Sequence, residues 1–173
     1  MSRTTFLLLI TMLAAFLVPT SATAAPYCGI TWGSLPKSAP TSVTGELVNI
    51  RSGRHDCYDR LVLDFRSRVD GFHVSYVDQM TEDPTGNPIP LRGGAKLSVA
   101  AFGPAYDANG QPTYTFANRR ELLNFAGYQT FRQLAWAGSF EAVTTVGLGV
   151  RARLPFRVLT WDNKVVVDVA HIW

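Results

Sequence analysis

The chain has 173 residues, 17% of them charged, and a formal net charge of +3. This length suits one domain with one hydrophobic core. The basic residues are spread along the chain, and the densest groups, Arg119-Arg120 and Arg151–Arg153, form no run of about five or more like charges. No nucleic-acid-binding motif is present either, so we expect no nucleic-acid partner.

The N-terminus has the pattern of a secretory signal peptide. Arg3 supplies a positive charge, Phe6–Val18 is an apolar run, and Ala22-Thr23-Ala24 is a small-x-small cleavage site. The run is shorter than the roughly twenty residues that a membrane-spanning helix needs. We predict a signal peptide over residues 1–24 and a single exported domain over residues 25–173, with no transmembrane segment after signal removal. The alternative is an uncleaved N-terminal anchor.

The chain has two cysteines, Cys28 and Cys57. In an exported protein, two cysteines are expected to form a disulfide bond. A bond closing a loop of about thirty residues stabilises the folded state by roughly 3 kcal/mol, because it restricts the unfolded chain. It would tie the start of the exported domain to the loop before a strand at Leu61–Phe65. The alternative is a catalytic or redox thiol, but the chain lacks a Cys-x-x-Cys motif.

The segment Ser52–Phe65 concentrates the residue types that carry chemistry. His55, Asp56 and Asp59 are candidate metal ligands or acid–base groups, and a Ca²⁺ site on the two aspartates is one alternative. A metal site needs three or four ligands at suitable spacing, and neither a calcium-loop pattern nor a Gly-x-Ser-x-Gly hydrolase motif is present. We therefore predict that this segment is scaffold, and we expect no metal, no cofactor and no catalytic residue.

In this scaffold interpretation, polar side chains orient the loop at the start of a strand. Tyr58 would pack beside the disulfide with its hydroxyl outward. Arg54 and Arg60 are expected to form ion pairs with carboxylates of the same segment, which are Asp56, Asp59 and Asp64.

Period-two alternation of apolar and polar residues predicts strands along most of the exported part. Clusters of Gly, Pro, Asn and Asp separate them and form turns. Asp162-Asn163 joins the last two strands in a tight hairpin with a positive-φ turn. This pattern predicts an all-β fold, either an antiparallel β-sandwich or a small barrel. The clearest segments are Leu61–Phe65, Phe72–Val77, Leu97–Ala101, Thr145–Val150 and Lys164–Val169.

Evidence for helix is confined to one place. Asn118–Asn124 is predicted to form one or two turns, with Asn118 as the N-cap, Glu121 at the third helical position and Gly127 after the end. The fold class is therefore all-β with at most one short helix.

Two glycines alternate along one face of a predicted strand, at Gly147 and Gly149. Small residues in a strand let another element approach closely. Since no helix follows them, they do not predict a nucleotide-binding loop.

Two strands share one short pattern. Arg60–Phe65 and Lys164–Val169 both have the order basic, apolar, Val, apolar, Asp, apolar. In each, the aspartate lies on the face opposite the three main core residues. Two related strands at opposite ends of a chain favour a pseudo-symmetric sandwich.

Aromatic residues are the second functional lead. Sugar-binding modules use aromatic faces as stacking platforms, with polar groups nearby to bind the hydroxyls. Tyr106 and Tyr114 flank the turn at Asp107–Pro112, so both are placed to line one edge of a site. We also nominate Trp32 and Arg54 as candidate ligand-binding residues. The alternative is that each aromatic residue serves the core of the sandwich.

Several stretches form a recognisable set that covers nearly the whole exported part. They are Cys28–Gly33, Gly53–Asp64, Tyr76–Gln79, Pro90–Ala95, Pro104–Asp107, Thr144–Val150, Pro155–Val158 and Val165–His171. This set resembles the AMIN-like domain family of secreted actinobacterial proteins. The resemblance implies a β-sandwich outside the cytoplasm. It brings no known catalytic residues. The family is distantly similar to the AMIN domain, which targets proteins to peptidoglycan or the envelope.

We therefore expect a secreted, non-catalytic module of the cell envelope that binds peptidoglycan or another wall glycan. The alternative is an adaptor that pairs with an exported protein partner through an exposed sheet edge. A small secreted hydrolase is the least favoured hypothesis. An aromatic patch beside polar groups would support glycan binding. A flat apolar sheet edge would support the adaptor. A deep cleft with two convergent carboxylates would support the hydrolase.

Overall fold

The computed structural model describes residues 26–173, so the predicted signal peptide lies outside the described residues. One turn of 3₁₀ helix, Tyr27–Gly29, begins this part of the chain, and no helix within it is long and apolar enough to cross a membrane. The strands described are β1 Lys37–Ala39, β2 Leu47–Arg54, β3 Tyr58–Phe65, β4 Phe72–Val77, β5 Met80–Thr81, β6 Pro88–Ile89, β7 Ala95–Ala101, β8 Phe131–Phe140, β9 Val143–Val150, β10 Phe156–Trp161 and β11 Lys164–Ala170.

The strands form two sheets that stack face to face. One has five strands in the order β1-β4-β7-β9-β8, and the other has four in the order β10-β11-β3-β2. Neighbouring strands are antiparallel in both. A small third sheet, β5-β6, is a separate two-stranded ribbon. The predicted all-β sandwich is confirmed, and the two sheets do not close into a barrel.

The core lies between the inner faces of the two sheets. Because successive side chains of a strand point to opposite faces, every second residue reaches it. Each fully buried Val, Leu or Phe contributes roughly 1.5–3 kcal/mol to folding relative to exposure. The residues that are fully buried there include Leu61, Leu63, Val165, Val167 and Val169 from the four-stranded sheet and Val74, Leu97, Val99, Val146 and Leu148 from the five-stranded sheet.

The two strands with the shared pattern, β3 and β11, lie side by side at the centre of the four-stranded sheet. Their antiparallel register places Arg60 opposite Asp168 and Lys164 opposite Asp64. Each strand carries a basic residue four positions before an aspartate, so the antiparallel register sets a basic residue opposite an aspartate twice. Of these two positions, Arg60 and Asp168 form an ion pair. The repeated pattern defines a local pseudo-symmetric strand pair.

The β5-β6 ribbon covers the outer face of the five-stranded sheet. Met80 and Ile89 pack there against Ala135 and Ala137 of β8 in a second, smaller apolar cluster. The two glycines of β9 make this approach possible. A methyl group at Gly147 would lie 2.7 Å from the Met80 side chain, and one at Gly149 would overlap the carbonyl oxygen of Arg92.

The predicted helical segment Asn118–Asn124 forms one turn, on which the Asn118 side chain accepts from the Arg120 amide at 2.9 Å, and no helix. This segment belongs to the connection 102–130, and it makes only a single turn, in which the amide of Glu121 donates to the Asn118 carbonyl at 3.1 Å. The segment then lies along the outer edge of β8. The Leu122 amide donates to the Leu134 carbonyl, and the Arg119 carbonyl accepts from the Trp136 amide. Backbone groups that a helix would pair internally instead cover the edge of a sheet.

Candidate functional site

The Ser52–Phe65 segment is built around the disulfide. Cys28 and Cys57 are bonded, with their Cα atoms 6.4 Å apart, and the bond ties the first turn of the described chain to the β2–β3 loop. The predicted pairing is confirmed. The loop leads directly into β3, so the disulfide anchors the start of a central strand.

Asp59 is a buried structural acceptor. It is fully buried, and one carboxylate oxygen accepts from the amides of Thr130 at 2.6 Å and Phe131 at 3.0 Å. The other oxygen lies 3.2 Å from His171 Nε2. These contacts join β3 to the start of β8 and to the residue that follows β11. The carboxylate that the sequence offered as a metal ligand or acid–base group is thus occupied by backbone donors.

The ion pairs run across strands and not along the segment, which corrects the predicted pairing. Arg60 donates two hydrogen bonds to Asp168 at 2.7 and 2.9 Å, and Arg51 pairs with Asp64 at 2.8 Å. Arg54 donates to the Gly127 carbonyl at 3.4 Å instead of to a carboxylate. Residues four apart on one strand are roughly 13 Å apart, whereas neighbours on adjacent strands are about 5 Å apart.

Trp32 belongs to a cluster of rings and guanidinium groups beside the disulfide. Its indole N–H donates to the Tyr27 carbonyl at 2.9 Å, and its ring lies 5.9 Å from that of Tyr58. The Arg157 guanidinium lies 5.5 Å from the Trp32 ring and 5.2 Å from the Tyr58 ring. These contacts hold Trp32 and Arg157 against Tyr58, and Trp32 also lines an open cavity of about 540 Å³ together with Tyr27 and Trp173.

A shallow cavity of about 450 Å³ opens beside the edge of β8, and we call it the aromatic depression. Three rings form its wall. The ring centroids of Tyr114 and Trp136 are 5.8 Å apart, those of Phe116 and Trp136 are 5.1 Å apart, and those of Tyr114 and Phe116 are 6.0 Å apart. The rings therefore make a continuous apolar surface.

Polar groups stand at the rim of the aromatic depression. Tyr106 accepts a hydrogen bond from the Ala142 amide at 3.2 Å, and Ser139 accepts one from the Ala105 amide at 2.8 Å. The Asp107 carboxylate accepts from two amides of the following turn, which brings Tyr106 back beside Pro112. The turn chemistry of this segment thus sets one wall of the site.

Core contacts hold the rings of the aromatic depression in place. Tyr114 and Trp136 both pack with one side against the sandwich core, whereas Phe116 is 38% exposed. Burial raises the pKa of the Tyr114 hydroxyl above its usual value, so this group remains a neutral donor at physiological pH. The result is a preformed apolar surface with hydroxyl groups at its rim. Sites that bind small ligands commonly combine apolar and aromatic lining residues with a few polar groups in this way.

The four nominated ligand-binding residues do not share one site. Tyr106 and Tyr114 line the aromatic depression together, while Trp32 and Arg54 lie in other parts of the molecule. The other two rings of the wall, Phe116 and Trp136, were not among the nominated residues. Tyr114 and Phe116 are two positions apart, so in an extended segment they lie on the same side. This spacing is the sequence signal that would have identified Phe116.

The described residues contain no group of three or more His, Cys, Asp or Glu side chains placed to hold a metal ion. Of the chain's histidines, His55 stacks on Tyr58 with a centroid distance of 4.5 Å, His73 is exposed on β4, and His171 is buried against Asp59.

Comparison with known proteins identifies the family. The model of the AMIN-like domain matches residues 45–171, and the chain belongs to the AMIN-like domain family. No curated protein and no solved structure matched the chain. AMIN-like domains are generally non-catalytic binding modules, and the family suggests a module associated with the cell envelope. The disulfide and the family are both consistent with a location outside the cytoplasm.

Proposed function

We propose that this protein is an exported, non-catalytic module of the cell envelope that binds a wall glycan in the aromatic depression. The observation that carries this proposal is the set of three rings whose centroids lie within 6.0 Å of one another beside hydroxyl groups. Its family membership supports the envelope part of the proposal.

The chemistry of the depression matches the two sides of a sugar ring. A pyranose presents a face of C–H groups, which packs on an aromatic ring, and an edge of hydroxyls, which needs hydrogen-bonding partners. Phe116 and Trp136 offer the apolar surface, and the hydroxyls of Tyr106 and Ser139 stand at its rim. No ordering of the rings is required on binding, because Tyr114 and Trp136 are already held by the core.

The test is co-sedimentation of the oxidised protein with insoluble peptidoglycan across a series of salt concentrations. Stacking on aromatic rings persists in salt, whereas attraction between surface charges is screened within about 10 Å at 0.1 M salt. We expect pelleting that persists above roughly 0.3 M salt. The variant Phe116→Ala is expected to reduce the pelleted fraction severalfold, because it removes the most exposed ring of the wall.

The matched control is Phe140→Ala. Phe140 is 48% exposed at the end of β8 and is not among the residues lining the depression. Equal losses in both variants would indicate non-specific apolar adsorption and would contradict the proposal. Pelleting that disappears by roughly 0.3 M salt would show charge attraction alone.

One observation favours the adaptor as the second candidate function. The outer edge of β10 has one bridge within residues 26–173, between Gly33 and Phe156, and the remainder of this strand has no neighbour on that side. An extended peptide can add to such an edge through backbone hydrogen bonds. If the protein does not pellet with peptidoglycan at any salt concentration, the glycan-binding proposal is contradicted and the adaptor becomes the favoured function.

A further inference from the structure

A second surface lies on the outer face of the four-stranded sheet, and we call it the open face. Side chains on this face form three rows that cross the sheet from β2 through β3 and β11 to β10, as the strand register shows. The rows are Gly53, Arg60, Asp168 and Arg157; then Arg51, Val62, Val166 and Leu159; then Asn49, Asp64, Lys164 and Trp161.

The middle row forms an apolar floor. Val62 and Val166 point away from the core, yet each is only 3% exposed, because longer side chains surround them. A depression of about 380 Å³ lies over these two valines. Arg51, Arg60, Lys164 and Trp161 stand around the floor.

The guanidinium groups around this floor are held in fixed positions. Arg60 donates two hydrogen bonds to Asp168, which is fully buried. The Arg60 guanidinium also lies 5.3 Å from the centroid of the Tyr58 ring. Arg51 is bonded to Asp64 through Nε at 2.8 Å and Nη2 at 3.1 Å. Among the described residues, neither Nη1 group has a hydrogen-bond acceptor, so each arginine keeps N–H donors for a ligand.

Two carboxylates of the open face, those of Asp64 and Asp168, already accept hydrogen bonds from arginines. Asp168 accepts from Arg157 as well as from Arg60, so two positive groups share one negative group. Lys164 donates to the Asn163 side chain at 2.7 Å and has no carboxylate within ion-pair distance in the described part of the chain. Asp162, in the turn between β10 and β11, also lines the depression, and the basic residues of the face still outnumber the acidic ones by one. The feature that suits this surface to an acidic ligand is its set of positioned N–H donors on Arg51 and Arg60, more than its net charge.

Trp161 completes the wall of this depression. Its side chain is 67% exposed, and its cross-strand partner is Lys164. An indole ring that contributes so little to the core, beside a lysine and over an apolar floor, is suited to stacking on a ligand.

We propose that the open face binds an acidic saccharide. Its sugar ring lies on Trp161 and the valine floor, and its carboxylate or phosphate group accepts from Arg51, Arg60 and Lys164. Charge-assisted hydrogen bonds to a positioned guanidinium are stronger than neutral ones and suit both acid groups. This site goes beyond the proposed function, since it shares no lining residue with the aromatic depression.

The experiment measures binding of the oxidised full-length exported protein to three soluble polymers by isothermal titration calorimetry. They are an oligogalacturonate, a poly(glycerol phosphate) that carries sugar substituents, and neutral dextran. We expect binding of at least one acidic polymer and none of dextran. Lys164→Gln and Trp161→Ala are each expected to weaken that binding about tenfold, the loss that follows from removing one charged or stacking contact.

Matched controls lie outside the open face. Lys96→Gln removes a lysine from a strand of the other sheet, and Trp173→Ala removes a tryptophan that is 73% exposed. Both are expected to change the affinity less than about twofold. Binding of the uronate alone or of the phosphate polymer alone identifies the acid group, and either supports the proposal.

Three results would overturn this proposal: no binding of either acidic polymer, equal binding of dextran, or equal losses from Lys164→Gln and Lys96→Gln. Phe116→Ala is expected to leave acidic-polymer binding unchanged. A failure of glycan binding in the aromatic depression is therefore distinguishable from a failure here.

Discussion

The two outer faces of the sandwich differ in what lies over them. On the five-stranded sheet, glycines and alanines of β8 and β9 accept the β5-β6 ribbon, and a second apolar cluster forms. On the four-stranded sheet, the outward-facing positions of the central strands β3 and β11 carry Arg60, Asp168 and Lys164. No strand packs over these side chains among the described residues. Side-chain size decides which face can be covered, because a ribbon needs small residues below it.

We therefore expect the covered face to contribute mainly to stability and the open face mainly to ligand binding. Substitutions under the ribbon are expected to change the free energy of unfolding, because backbone and apolar side chains meet there at van der Waals distance. Substitutions at the exposed edge of the open face are expected to change binding with little effect on unfolding.

The largest expected effect comes from Gly149→Ala. The added methyl would overlap the Arg92 carbonyl oxygen, and a backbone atom cannot move aside as a flexible side chain can. We expect a loss of about 2–3 kcal/mol in the free energy of unfolding, measured by urea denaturation. The control is Gly53→Ala on the open face, where a methyl would lie 3.7 Å from His55 Nε2. That change is expected to be neutral or to stabilise by about 0.5 kcal/mol, and equal losses would remove the contrast between the faces.

A smaller loss is expected for Asp168→Asn. This change leaves Arg60 and Arg157 without the carboxylate that both contact, and Asp168 is fully buried. Denaturation should show a loss of about 1–2 kcal/mol, because both arginines are partly exposed and can be solvated. The comparison variant is Asp64→Asn, whose partner Arg51 has a side chain that is 52% exposed. We expect less than about 1 kcal/mol there, and the reverse order would contradict the assignment of Asp168 as the central anchor.

The smallest effect on stability is expected for Trp161→Ala. Its side chain is 67% exposed, so the free energy of unfolding should change by less than about 0.5 kcal/mol. Urea denaturation and the circular dichroism of the variant would check this. A loss of about 2 kcal/mol would show that Trp161 stabilises the β10–β11 hairpin, and would weaken its interpretation as a ligand contact.

Parts of the candidate sites could be predicted from local sequence. Tyr106 and Tyr114 flank a turn whose Asp107 side chain organises its own backbone, so their proximity follows from short-range chemistry. Trp136 could not be placed beside them, because it comes from β8, and its meeting with Phe116 depends on how the connection 102–130 crosses the edge of the sheet.

The same limit explains where the structure departs from the expected ion pairs and from a longer helical segment. Arg60 had three carboxylates near it in sequence, but its partner is Asp168, which is 108 positions away and adjacent only through strand pairing. Asn118–Asn124 has a capping pattern and forms its first turn, but the Leu122 amide and the Arg119 carbonyl then bond to β8. In both cases a contact with a strand that is distant in sequence replaced a contact along the chain.

Residue type and spacing along the chain are sufficient to predict the all-β class, the disulfide between Cys28 and Cys57, the alternation that builds the core, and the positive-φ turn at Asp162. These depend on residue type and period, which are local properties. Only the folded chain shows which strands are neighbours, which face the ribbon covers, and which side chains share the two depressions. These features require strand pairing, because a short pattern such as Arg60–Asp64 produces contacts only when its partner strand and register are known.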